Sequence, residues 1–289
     1  MTRRRPAAAL AASSIAFAVM ALLARLGGRR GLGPAEMVFV RMTVGAAGCL
    51  ALFLAGRARL AARRLGLLAL RGLLGTLAIL LFFFALSRLP AGEATLLNYT
   101  SPVFTTIFAL LFLGERPGAR PLLGLVVTLA GLGLTVRAGS GPILSLGVLA
   151  GFASAVVSGG AVATVRVLRK SEGTVVIFFV FAVIAALLSA PLGLIGARAP
   201  SGADTLLLLA IGLTSLVAQL LFTDALGYLG AVTAAVIAPL TPVAAYVLGA
   251  VFLGEPLTPP IAGGMAVALA GVALASLGAE PLPAPVVAD

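Results

Sequence analysis

Thr95, Asn98, Tyr99, Pro102 and Thr106 stand three, four, seven and eleven residues after the first of them, inside an otherwise apolar run. On a helix those positions form one face. An amide, a phenol and hydroxyls around a proline can hold a small polar molecule by hydrogen bonds. They supply no nucleophile paired with a base and no set of metal ligands. Leu97, Phe104 and Phe108 fall on other faces. A second face of the same kind carries Pro239, Pro242, Tyr246 and Gly249. A proline in mid-span removes a backbone hydrogen bond and kinks the helix. In hydrocarbon the freed carbonyl needs a partner or a wet cavity. Two polar faces, each around a proline, therefore predict a central water-accessible cavity. Kinked packing helices with buried hydroxyls are the plainer alternative.

Other polar residues fall within apolar stretches. Ser154 and Ser158 share a helical face and suit either close packing or substrate contact. Gln219 lies between Ser215 and Thr223, a stripe that either wets the cavity or ties helices together. Arg41 and Arg71 each lie a few residues inside a span. They either snorkel to the interface or contact a carboxylate or phosphate. Asn98, Tyr99, Gln219, Tyr246, Arg41, Ser154 and Ser158 are thus the candidate substrate contacts. Pro102 and Pro242 are the candidate hinges. There is no histidine or tryptophan, and Cys49 is the one cysteine. A disulfide within the chain is excluded, the usual zinc and haem ligands are missing, and no cofactor is implied.

The elements that position these residues follow from composition. Of 289 residues, 61% are apolar and 10% charged, against about 25% charged in soluble domains. Ten apolar stretches reach or approach the roughly 20 residues a spanning helix needs. They are 7–26, 35–55, 66–87, 91–113, 120–136, 143–165, 174–196, 204–228, 231–253 and 259–277. The fold class is all-α, a polytopic membrane protein of ten spans. The net charge of +11 does not point to nucleic acid, because the arginines sit between spans. With the amino terminus inside, loops such as Arg57–Arg64 and Arg166–Lys170 face the cytoplasm and carry most of the basic residues. Both termini are therefore placed in the cytoplasm. Residues 2–24 resemble a signal peptide, but the first span has a counterpart later in the chain and is read as a permanent helix.

That counterpart comes from an internal repeat. Shifted by 140 positions, residues 86–136 fall on 226–276 without a gap and with 16 of 51 positions identical. Pro102 falls on Pro242, and Phe112-Leu113-Gly114-Glu115 on Phe252-Leu253-Gly254-Glu255. The period holds five spans, so the two halves enter the membrane from opposite sides. Such inverted repeats are typical of secondary transporters, with the site near the midplane between halves. The halves are 1–140 and 141–280, followed by a short cytoplasmic tail, 281–289. Glycine in each FLGE block caps a helix, and Glu115 and Glu255 are read as holding the turns. Gly124, Thr128 and Gly131, with Gly264, Ala268 and Gly271, suit close helix packing or a dimer interface.

The segments Leu-Pro-Ala-Gly-Glu-Ala-Thr (89–95), Ser-Pro-Val-Phe (101–104) and Leu-Gly-Glu-Arg (113–116) carry a resemblance. So do Thr-Pro-Val (241–243), Leu-Gly-Glu-Pro (253–256) and Arg41. The chain resembles the ten-helix drug/metabolite transporter superfamily and, within it, the EamA-type exporters. The resemblance implies a cavity lined by spans three, four, eight and nine, with one and six. It implies export of small metabolites, in particular neutral or zwitterionic amino acids, aromatic ones included, across a bacterial inner membrane. Without tryptophan, aromatic stacking would rest on Tyr99, Tyr228, Tyr246 and phenylalanines. Glu93 and Asp224 are the acids nearest span interiors, both close to ends, which argues against proton-coupled export of lipophilic cations and leaves uniport or exchange. A phosphorylated-metabolite or nucleotide-sugar antiporter is the alternative, resting on Arg41 and Arg71. A membrane-embedded lipid-modifying enzyme would need clustered His, Asp or Glu, which the chain does not offer. The expected partners are a small-molecule substrate and the bilayer. The chain is read as a monomer, with a homodimer as the other arrangement.

Overall fold

The structure, a computed structural model, describes residues 4–113, 119–138, 145–169, 171–195, 200–226, 237 and 240–277. The Glu115 turn, Tyr228, Pro239 and the 281–289 tail lie outside the described residues, as does the side chain of Thr106. Every regular element among the described residues is helical, as a chain that must satisfy its own backbone within lipid requires. Among the described residues six helices are long and apolar enough to cross a membrane. They are α1 (Arg4–Arg29), α2 (Pro34–Leu54), α3 (Leu65–Arg88), α7 (Leu146–Leu168), α8 (Thr174–Leu194) and α9 (Gly202–Leu226). Three shorter apolar helices are α6 (Ala119–Ala138), α10 (Leu240–Leu253) and α11 (Pro259–Leu277). Span four is a pair of half-helices in line in the sequence, α4 (Ala91–Asn98) and α5 (Ser101–Leu113).

Helix starts follow local chemistry. Pro34 opens α2, and the Glu36 carboxylate accepts the Gly33 N–H at 3.2 Å. Ser145 accepts the Val148 N–H at 3.2 Å at the start of α7. Ser201 and Asp204 cap α9 reciprocally, at 3.1 and 3.3 Å. The start of α3 borrows its acceptor from the other half. Glu172, in the turn before α8, accepts the N–H groups of Arg63 and Arg64 at 2.9 and 2.7 Å.

Helix pairing displays the repeat. α2 packs along α8, α6 along α11, and α4 beside α10, so spans two, five and four each meet their own counterparts. α1 packs along α9 and α3 along α7, contacts that exchange when the halves are interchanged. The small-residue stripes serve the span five to span ten contact. A Cβ on Gly131 would run into the backbone of Ala268, and one on Gly271 into Thr128. These stripes pack against each other within one chain. Leu70, Leu73 and Leu77 point outward from α3, as side chains facing lipid do. Met37, Met42, Phe83, Phe178 and Ile211 fill the interior between α2, α3, α8 and α9.

Candidate functional site

Span four is broken rather than bent. Pro102 has no N–H for the Asn98 carbonyl and its ring crowds that carbonyl, so α4 stops at Asn98 and α5 starts at Ser101. Tyr99 and Thr100 make the joint. The Tyr99 N–H still reaches the Thr95 carbonyl at 2.9 Å, while the Thr100 N–H turns to Leu97 at 3.2 Å. The Thr100 hydroxyl also donates to the Leu97 carbonyl, at 2.7 Å. The expected mid-span kink is thus a break one turn before the proline. Pro242, its counterpart, lies buried in α10.

The break turns Asn98 and Tyr99 toward the second half. Asn98 Nδ2 donates to Ser154 Oγ at 2.7 Å and reaches Ser158 Oγ at 3.4 Å, both on α7. The Tyr99 hydroxyl lies 2.6 Å from Thr241 Oγ1 at the start of α10. Glycines let α7 come this close: a Cβ on Gly159 would press on the Phe104 backbone, and one on Gly151 on Leu97. Arg41 is buried, at 5% exposure, and its Nε bonds Ser215 Oγ on α9. The guanidinium sits 5.5 Å above the ring of Phe83 on α3. It has no acidic partner among the described residues. Gln219, one turn along α9, reaches Thr223 Oγ1 at 3.4 Å.

The structure therefore brings Asn98, Ser154 and Ser158 together and joins Tyr99 to Thr241. It sets Arg41 and the Gln219 stripe along α2 and α9. Tyr246 stands apart from these. It is 5% exposed, and its ring fills the notch at Gly92 in α4, among Leu96, Ile261 and Ala268. Thr241 and Ser215 complete contacts that the sequence reading did not assign to them. The adjoining prolines and the i−4 spacing of Ser215 from Gln219 were the available signals. Glu255 also has a role beyond its own turn. It accepts Arg25 Nε at 2.9 Å, Arg29 Nη2 at 3.3 Å and the Ala91 N–H at 2.8 Å. The hydrogen bonds of Asn98, Tyr99, Arg41 and Glu255 link the first half to the second, while that of Gln219 stays within α9. Among the described residues the arrangement holds hydroxyls, an amide and a guanidinium without an acidic partner, a surface suited to polar recognition.

The EamA-like transporter family matches this chain twice, over residues 5–137 and 145–277. The Pseudopaline exporter CntI of Pseudomonas aeruginosa is 34% identical over 267 residues, spanning 91% of this chain and 93% of that protein. Solute carrier family 35 member G1 of Homo sapiens is 40% identical over 70 residues, which covers 24% of this chain and 19% of that protein. A solved crystal structure shares the fold, with a TM-score of 0.63 over 92% of this chain and 96% of the other, at 23% identity.

Proposed function

The chain belongs to the EamA-like transporter family, and from that premise we propose that it exports small zwitterionic metabolites, amino acids first among them, by alternating access. The proposed site comprises Asn98, Tyr99, Ser154, Ser158, Gln219 and Arg41, and Tyr246, packed in the Gly92 notch, supports α4 beside it. The observation that carries the reading is that Asn98, Tyr99 and Arg41 each hydrogen-bond a hydroxyl across the two halves, beside a broken helix. Side-chain hydrogen bonds within membranes contribute on average about 0.6 kcal/mol each. Contacts this weak exchange readily for those of a substrate, so the halves can part around it. Pro102 and Pro242 keep the backbone near the joint free of a continuous ladder, and they serve as hinges. Arg41 has no carboxylate partner among the described residues and takes that of the substrate. The protein lies in a bacterial inner membrane with both termini cytoplasmic, its halves divided near residue 140.

The relative that carries the name pseudopaline exporter supports outward movement as the direction and puts pseudopaline into the test panel. Two arginines in the bundle without an acidic partner among the described residues, Arg41 and Arg71, do the same for phosphorylated metabolites. Purified protein in liposomes is assayed for counterflow with amino acids, their amides, purines, pseudopaline and sugar phosphates. A charged hydrogen bond contributes about 1.5–3 kcal/mol, so Arg41→Gln weakens an acid substrate roughly 10- to 150-fold more than its amide. Equal loss for acid and amide removes the carboxylate role from Arg41. Movement of phosphorylated compounds alone replaces the amino-acid reading with the antiporter.

A further inference from the structure

Arg71 lies six residues into α3, about 9 Å along the axis. A snorkelling arginine at that depth would bend back toward the near end of its helix. Arg71 bends the other way. A Cβ on Gly75, one turn further along, would overlap its Nη1. The guanidinium therefore lies about 15 Å from the helix start, half of a hydrocarbon core about 30 Å thick. It rests 4.3 Å above the ring of Phe181 on α8. Its Nε and Nη1 are buried and without a hydrogen-bond partner among the described residues. A charge held at this depth with donors unfilled is costly and marks a functional position. The missing side chain at Gly75 makes room for it.

The repeat gives the position a meaning. α2 (Pro34–Leu54) and α8 (Thr174–Leu194) have equal length and are offset by 140 residues. On that offset Arg41 corresponds to Phe181 and Ser215 to Gly75. Arg41 meets Ser215 in one half, and Arg71 places its guanidinium between Phe181 and Gly75, the matching place in the other. Along α3 the two guanidinium sites, at Gly75 and Phe83, are about 12 Å apart.

Resting on the transport reading above, we propose that Arg71 is a second oxyanion station on the substrate path, the pseudo-symmetric partner of Arg41, taking the carboxylate of a metabolite in transit. The flat fork of donors suits a carboxylate, and the aromatic platform fixes its plane. Two stations at mirrored depths give an anionic group somewhere to rest in each of the two states.

The test needs no known substrate. Single cysteines replace Leu67 and Ala78, one turn below Arg71 and one turn beyond Gly75, in a Cys49→Ala background. Two methanethiosulfonate reagents of equal size are compared, one bearing a sulfonate and one a trimethylammonium group. Each rate is divided by that of the same reagent with a small free thiol, and at one or both positions the normalised rate of the anionic reagent is higher, by about tenfold as expected beside a desolvated charge. Arg71→Gln brings the ratio to within about twofold, and Arg71→Lys keeps most of it. Free acetate slows the anionic reagent only when Arg71 is present. Lack of reaction at both positions, faster reaction of the cationic reagent, or a ratio indifferent to Arg71→Gln overturns the proposal. If Arg71→Gln fails to give a monodisperse protein, the Arg71→Lys ratio and acetate protection decide. A failed transport assay leaves this result standing, so the two readings fail separately.

Discussion

Glu255 gives the most direct measure of how the halves are held together. It follows α10, yet it is only 7% exposed. Gly254, at φ 62°, takes the left-handed conformation that turns the chain there. Gly249 leaves the space its carboxylate occupies, since a Cβ there would press on Oε2. One oxygen takes Arg25 and Arg29 from α1, and the other takes the free N–H at the start of α4. Glu255→Gln keeps the shape and removes the charge. The Arg25 side chain is 14% exposed, so its contact falls in the range of a charged hydrogen bond, about 1.5–3 kcal/mol. The Arg29 side chain is 41% exposed, and its contact adds under about 1 kcal/mol. The single substitution therefore costs about 1.5–4 kcal/mol. Glu255→Ala also strands the Ala91 N–H, about 1–3 kcal/mol more.

A double-mutant cycle isolates the pair. Wild type, Glu255→Gln, Arg25→Gln and the double variant are unfolded reversibly in mixed micelles with increasing denaturing detergent. Arg25 also donates to the carbonyls of Leu86 and Ser87, at 3.3 and 3.0 Å. Those bonds are lost with Arg25 in either background and cancel in the cycle. The expected coupling is about 1.5–3 kcal/mol. A coupling below about 0.5 kcal/mol, the value of a screened surface pair, would mean that solvent has replaced the contact and that Glu255 does not tie the halves.

Two further outcomes test the packing and the orientation. Gly92→Ala drives a methyl group into the Tyr246 ring, and overpacking of this kind costs about 1–3 kcal/mol; thermal stability should fall and partly recover with Tyr246→Leu, and an unchanged stability refutes the notch. Reporter fusions after Arg64 and after Lys170 should both read cytoplasm, because Glu172 joins these two loops at one end of the bundle; opposite signals from the two would contradict that joint, and a periplasmic signal from both would invert the topology.

The sequence was legible where one periodicity or one repeat carried the information. Apolar runs located the spans, and the odd repeat set the antiparallel relation that the helix pairing displays. Pro102 marked the site of disruption in span four. What it left open was bend versus break, because that depends on whether Asn98 and Tyr99 find partners off the helix, and Ser154 and Thr241 are 56 and 142 residues away. Tyr246 was assigned to the polar face by spacing alone. Its environment is decided by Gly92, 154 residues earlier, whose missing side chain admits the ring. Glu255 likewise could be placed at a turn, while Arg25 and Ala91 as its partners could not.

The arginines show why a repeat in sequence and a repeat in chemistry need not coincide. Arg41 has Phe181 at its equivalent position, and Arg71 has Ile211. Compared residue by residue, neither charge is duplicated, and the halves look chemically unlike. In three dimensions a long side chain covers several residues of helix. Arg71, starting four residues from Gly75, delivers its guanidinium to the place that corresponds to Arg41 and Ser215. The backbone symmetry fixes two equivalent places, and each half reaches its own from a different residue. A glycine opposite a mid-membrane arginine is the sequence signal for such a delivery, and it becomes readable only once the offset between halves is known.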